Sequence, residues 1–94
     1  MGLKKVVLDV LKPIKGYSLV TLAQNLTKVD GVKRVSVVVN EIDVETVTLN
    51  VTVEGDDIDF DGLRSSLEGM GAVIHSVDEV IVESEEISSS EEEG

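Results

Sequence analysis

Hydrophobic residues recur with two different spacings along the first third of the chain. An apolar run from Leu3 to Leu11 stops at Lys12-Pro13, which predicts a first strand, because proline lacks a backbone N–H. Ser18 is a candidate N-cap for a helix that ends at Asp30-Gly31. The apolar positions between them have helical spacing: Leu19, Leu22, Ala23, Leu26 and Val29. The pattern therefore predicts a strand followed by one amphipathic helix.

The rest of the chain predicts a hairpin, a second helix and a last strand. Residues 32–42 are rich in valine, and residues 46–54 alternate strictly between apolar and polar. Asp59 or Asp61 is a candidate N-cap for a helix that ends at Gly69 and Gly71. Its apolar positions are Leu63, Leu67 and Met70. Residues 72–82 then have the composition of a fourth strand.

The resulting order, β-α-β-β-α-β, predicts an α+β fold of the ferredoxin-like type. Two βαβ-type crossovers that share one sheet give four antiparallel strands in the order 4-1-3-2, with both helices on one face. The other face of the sheet then meets solvent or a partner. Residues 1–83 form this domain, and the Ser/Glu tract at 84–94 is too polar to fold and is expected to be a disordered acidic tail.

Composition excludes several classes of partner. Nineteen acidic residues against eight basic ones give a net charge of -11, which repels nucleic acid and anionic membrane surfaces. RNA binding on an open sheet also needs aromatic residues there, and aromatics make up only 2% of the chain. Tyr17 and Phe60 are expected to anchor the core. Cysteine is absent, which favours a reducing cytoplasm.

The sequence offers no catalytic constellation. His75 is the only histidine, so neither a histidine-based zinc site nor a Ser-His-Asp triad can be assembled within one chain. We therefore expect a protein that is not an enzyme, with Ca²⁺ or Mg²⁺ as the only candidate cofactor. If Asp9 faces away from the helices, His75 on the neighbouring last strand is predicted to meet it. The pair is then either a structural polar contact, the favoured interpretation, or a pair that faces a ligand.

Three carboxylates near the hairpin tip are the candidate metal site. At spacing i, i+2, i+4 they project to one side of an extended chain, and oxygen ligands of this kind suit Ca²⁺ or Mg²⁺. The alternative is solvated acids that Lys12 and Lys15 neutralise. We call this group the hairpin carboxylates: Glu41, Asp43 and Glu45.

A second acidic stretch matches the residue pattern of a calcium-binding loop, but the elements predicted around it are not those of a calcium-binding hand. Carboxylates occur at Asp57, Asp59, Asp61 and Glu68, with Gly62 at the turn. A calcium hand needs a helix before the loop, whereas a strand is predicted there. The favoured interpretation is an acidic helix N-terminus, which the helix dipole stabilises.

The two edge strands of the predicted sheet are both apolar. The second strand is guarded only by Lys33 and Arg34 at one end, and unprotected edges of this kind are templates for pairing. Apolar residues mark both edges: Val35, Val37, Val38 and Val39 on the second strand, and Val77, Val80, Ile81 and Val82 on the fourth. Joining the second strand of one subunit to the fourth of the next predicts a cyclic homo-oligomer of more than two subunits.

Four strings resemble a small archaeal family known only as domain of unknown function number two hundred and eleven. The strings are residues 8–13, 41–46, 55–60 and 74–80. The resemblance implies a ferredoxin-like fold, ring-like homo-oligomers and candidate divalent-cation binding, with no established activity. It maps the acidic strings of the family onto Asp9, Glu41, Asp43, Asp78 and Glu79.

Together these features predict a non-enzymatic binding and assembly protein that forms a homo-oligomeric ring and is a candidate for binding divalent cations. The alternative is a regulatory module, like the amino-acid-binding domains of the same topology, that senses a small molecule held between subunits.

Overall fold

The computed structural model of the protein describes residues 2–84, which form six elements in the predicted order. The predicted acidic tail, apart from Ser84, lies outside the described residues. The elements are β1 Gly2–Pro13, α1 Leu19–Leu26, β2 Val32–Ile42, β3 Thr46–Gly55, α2 Phe60–Gly69 and β4 Val73–Glu83.

The four strands form one antiparallel sheet in the order β2-β3-β1-β4. This is the predicted order 4-1-3-2 counted from the opposite edge, so the ferredoxin-like topology is confirmed. β1 and β3 lie in the centre, and β2 and β4 are the two edge strands.

The core lies between the sheet and the helix layer. Val6, Leu8 and Val10 of β1 are fully buried and lie beside alternate apolar residues of β3. The helices complete the same buried cluster with Leu22, Leu26, Leu63 and Leu67. The alternate positions of β1 that include Lys5, Val7, Asp9 and Leu11 lie on the opposite side, which we call the open sheet face.

Both helices begin where the capping residues predict. The Ser18 hydroxyl accepts a hydrogen bond from the N–H of Thr21 at 3.1 Å, and the Asp59 carboxylate accepts one from the N–H of Gly62 at 3.1 Å. α1 ends at Leu26, earlier than expected. Val29 still packs against the core, but it does so from the turn that follows the helix.

The first strand continues past the predicted stop at Lys12. Pro13 lies opposite Thr46, and the N–H of Ile14 donates to the carbonyl oxygen of Glu45 at 2.9 Å. Proline is tolerated at this position because the pairing with β4 ends at Leu11, so Pro13 has a neighbouring strand on one side only. The two additional residues place Lys12 inside the sheet.

Two turns at the opposite end of the sandwich are in close backbone contact. The Gly31 carbonyl accepts a hydrogen bond from the N–H of Asp56 at 2.8 Å, and the Asp30 carbonyl accepts one from the N–H of Asp59 at 3.0 Å. Gly31 has a φ of 87°, in the region that favours glycine. This contact fixes the start of β2 against the turn that leads into α2.

Candidate functional site

A cavity opens at the end of the sandwich where β1 and β2 finish and α1 begins. Its volume is about 220 Å³. We call it the end cavity. The residues that line it are Lys12, Ile14, Tyr17, Ser18, Leu19, Val39, Ile42 and Val47. The wall is therefore mainly apolar, with one lysine, one tyrosine and the cap of α1.

Lys12 is the unusual residue of this cavity. It is 3% exposed, and among residues 2–84 it is the only charged or polar residue that is buried as a whole. Its Nζ donates to the carbonyl oxygen of Pro13 at 2.6 Å, and no carboxylate of the described chain forms an ion pair with it. A charge buried in this way is uncommon because it is costly to desolvate.

Lys12 lies at the same end of the sheet as the hairpin carboxylates, as expected, but it forms no ion pair with them. Lys12 continues the alternation of Val6, Leu8 and Val10, so its side chain lies on the core side of β1. The alternation of buried residues along β1 could have placed Lys12 on the core side from the sequence alone. It was missed because the strand was predicted to end at Leu11.

Of the two aromatic residues expected to anchor the core, only one does so. Phe60 packs against the buried cluster, with the Arg64 guanidinium 5.4 Å from its ring centre. Tyr17 is 43% exposed and lies in the wall of the end cavity instead. The expectation for Tyr17 is wrong because Tyr17 belongs to an exposed loop between β1 and α1 and is not part of the buried cluster.

The hairpin carboxylates are exposed and do not converge within one chain. The Asp43 carboxylate accepts from the N–H of Val44 at 2.7 Å, which fixes the turn after β2. In the part of the chain that the structure describes, no group of three or more acidic or histidine side chains is arranged to hold a metal ion. Lys15 forms no ion pair with them either. Cation binding at this tip stays a prediction.

The expected contact between Asp9 and His75 is not formed, because β4 contains a bulge. Asp9 lies opposite Ser76, and Val10 lies opposite Ile74, so His75 is the extra residue between two matched positions. His75 is exposed, and one carboxylate oxygen of Asp9 is buried without a hydrogen-bond partner. A bulge is not visible in the hydrophobic pattern, which explains the error.

The acidic stretch from Asp57 to Glu68 is a helix start, as favoured, and not a calcium loop. Asp59 caps α2, Ile58 is buried, and Glu68 lies inside the helix near its end. These positions preclude the convergence of oxygen ligands that a calcium loop requires.

Both edge strands leave apolar side chains exposed. On β2, Val38 is 54% exposed on the open sheet face, while Val35 and Val37 pack partly against the core. On β4, the exposed apolar residues are Val73, Val77, Val80, Ile81 and Val82. We call these two strands the β2 edge and the β4 edge. A helix of 10 residues spans about 15 Å, whereas a strand of 11 residues spans about 36 Å, so the helices cover only part of the sheet.

Comparison with known proteins places this arrangement in a family. A family model described as uncharacterized ArCR, domain of unknown function 211 (DUF211), matches residues 4–93. The chain belongs to the DUF211 family. The uncharacterized protein MJ0319 of Methanocaldococcus jannaschii is 40% identical to this chain over 80 residues, which cover 85% of this chain and 81% of that protein. The predicted resemblance is confirmed, and the family match extends beyond β4.

The described part of this DUF211 chain contains no helix that is long and apolar enough to cross a membrane.

Proposed function

We propose that this DUF211 protein is a non-enzymatic assembly protein whose subunits join edge to edge into a closed ring. The β2 edge of one subunit pairs with the β4 edge of the next. The observation that carries the proposal is that both edges of one sheet are long, strand-paired on one side only, and lined with exposed valine and isoleucine. Edges of this kind are templates for pairing with another chain.

The strand directions support this joint. Every neighbouring pair in the sheet is antiparallel, so β2 and β4 run in opposite directions. Placing the β4 edge of one subunit beside the β2 edge of another therefore continues the alternation without a parallel pair. The result is a head-to-tail contact, which closes into a ring when the rotation per subunit allows it.

The charges of the two edges also favour the head-to-tail contact. β2 has Lys33 and Arg34 near its start, and β4 has Glu79 and Glu83 in its second half. In an antiparallel joint without offset, the start of β2 lies beside the end of β4, so the basic residues of β2 and the acidic residues of β4 lie in the same half of the joint. Two β4 edges would instead bring carboxylates together, which is unfavourable.

The test uses one charged variant for each edge. Val38→Asp places a carboxylate on the β2 edge against the acidic β4 edge, and Val80→Lys places a cation on the β4 edge near Arg34 of the neighbour. Val80 is 52% exposed in the single chain, so both changes are compatible with folding. Val37 is unsuitable because it packs against the core, and a charge there would test folding instead. Val20→Asp and Val20→Lys on α1, where Val20 is 66% exposed, are the matched controls.

Light scattering coupled to size exclusion measures the outcome, with circular dichroism to verify folding. In a head-to-tail ring each edge variant alone is a monomer, because its remaining intact edge has no complement. In a mixture, the intact β4 edge of the Val38→Asp protein can pair with the intact β2 edge of the Val80→Lys protein. The mixture therefore gives a heterodimer. If each variant alone forms a dimer and the mixture gives no heterodimer, the contact joins like edges and the ring is excluded. If the wild-type protein is a monomer, the proposal fails altogether.

A further inference from the structure

We infer that the end cavity binds a small monocarboxylate with an apolar body. The carboxylate lies against the Lys12 ammonium and the N-terminus of α1, and the apolar body fills the rest of the cavity. All the lining residues belong to one chain, so a monomer can be tested for binding; Val39 and Ile42 also lie on the β2 edge, and the mass of each variant is therefore measured alongside its affinity.

The buried ammonium of Lys12 is the first observation that carries the inference. Buried charges in proteins are normally paired with an opposite charge, because desolvation of an isolated ion costs more than a single neutral hydrogen bond returns. Lys12 has the Pro13 carbonyl as its hydrogen-bond acceptor and no carboxylate of the described chain as a partner. An anion in the end cavity would supply the missing opposite charge.

The start of α1 is the second observation, and it lies in the same cavity wall. Ser18 and Leu19 both line the cavity, and Ser18 uses its hydroxyl to accept the N–H of Thr21. The first N–H groups of a helix have no acceptor within the helix, and the dipole makes this end positive. Lys12 and the helix start thus lie together and favour one negative charge, which fits a carboxylate better than a doubly charged phosphate ester.

The size and chemistry of the cavity define the rest of the ligand. Ile14, Val39, Ile42 and Val47 form its apolar surface. An apolar cavity of about 150 Å³ accommodates benzene, so the 220 Å³ of the end cavity suits a branched aliphatic chain with a carboxylate attached. Tyr17 lies partly exposed at the margin, where its ring can cover the bound molecule.

The experiment compares a charged probe with its neutral analogue. We would titrate 4-methylpentanoate and 4-methylpentanamide separately into the full chain, and measure affinity by calorimetry and amide chemical shifts by NMR. The carboxylate is expected to bind in the millimolar range or tighter and to shift the amide signals of Tyr17, Ser18 and Leu19. The amide is expected to bind at least tenfold more weakly, because it carries no charge to pair with Lys12.

Two variants separate this site from general attraction to a lysine. Lys12→Met keeps the length and apolar stem of the side chain and removes the charge, and it should weaken carboxylate binding at least tenfold. Lys15→Met, in the loop that follows β1 and outside the lining of the end cavity, is the matched control and should leave the affinity unchanged. If Lys12→Met does not fold, Val39→Phe should abolish binding by filling the cavity from an edge position.

Three results would overturn the inference. They are the absence of saturable binding at tens of millimolar, equal affinity for the carboxylate and the amide, or carboxylate binding that survives both Lys12→Met and Val39→Phe in folded protein.

Discussion

Replacing Gly55 with alanine should destabilise the protein strongly, because two turns meet at this residue without room for a side chain. A Cβ at Gly55 would lie 2.9 Å from the carbonyl carbon of Gly31, closer still to its oxygen, and 3.0 Å from the backbone N of Lys33. These neighbours are backbone atoms, so no side chain can rotate away. The start of β2 would have to move instead.

The magnitude follows from the contacts that this movement breaks. Forcing extra atoms into a packed site typically lowers the free energy of unfolding by about 1–3 kcal/mol. Because the atoms in the way at Gly55 are backbone atoms, we expect a cost at the upper end, about 3 kcal/mol. The movement also loosens the Asp56 N–H to Gly31 carbonyl hydrogen bond, which contributes about 1 kcal/mol. We therefore expect Gly55→Ala to lower the free energy of unfolding by about 3–4 kcal/mol. For a domain of this size that lowers Tm by about 12–32 °C.

Gly69→Ala is the matched control for this prediction. Gly69 ends α2, and a Cβ there meets no atom within 4 Å. Alanine favours a helix over glycine, so this change should stabilise the protein by about 0.5 kcal/mol. Urea unfolding followed by circular dichroism measures both variants, at one protein concentration because association would shift the transition. A Gly55→Ala protein within about 1 kcal/mol of wild type would refute the close-contact reasoning.

Three further predictions concern a helix cap, one carboxylate and the hairpin tip. Asp59→Ala should lower the free energy of unfolding by about 1 kcal/mol because α2 loses its N-cap, whereas Asp61→Ala, which caps nothing, should cost clearly less in the same urea assay. The hydrogen bond and charge of Lys4 hold the pKa of Asp56 below its usual value. The ion pair therefore stabilises the fold fully at pH values above the ordinary aspartate pKa, and this stabilisation is lost as the pH falls through the lowered pKa of Asp56. An NMR titration should show that pKa rise in Lys4→Met, and an unchanged value would contradict the pairing. Calcium should bind the hairpin carboxylates weakly, with a Kd of roughly 10⁻⁴ to 10⁻³ M, and a calorimetric isotherm that survives their replacement by the corresponding amides would place the site elsewhere.

The fold was predictable because local signals and hydrophobic period agreed along the chain. Ser18 marked the first helix start, and Asp59, one of two candidate caps, marked the second; the strict alternation of β3 fixed which side chains face the core. The bounds of β2 were predicted to the residue. These features depend on interactions between residues close in sequence or on a simple period, which a pattern records directly.

The candidate site was less predictable because it depends on how strands align. The bulge at His75 removed the expected contact with Asp9, and the period of a single strand carries no information on such a shift. Lys12 was missed for a different reason: Pro13 suggested an early end to β1, although a proline is tolerated where the strand has a neighbour on one side only. The end cavity combines β1, β2, β3 and α1, so only the folded chain brings its lining together.

The mass of the wild-type protein in solution tests the proposed assembly most directly. Size exclusion coupled to light scattering at micromolar concentration should give a single species of more than two subunits, each of 10.1 kDa. The species should be the same at different concentrations, because a closed ring leaves no free edge to extend. A mass of 10.1 kDa would contradict the account, and a mass that grows without limit with concentration would show an open chain in place of a ring.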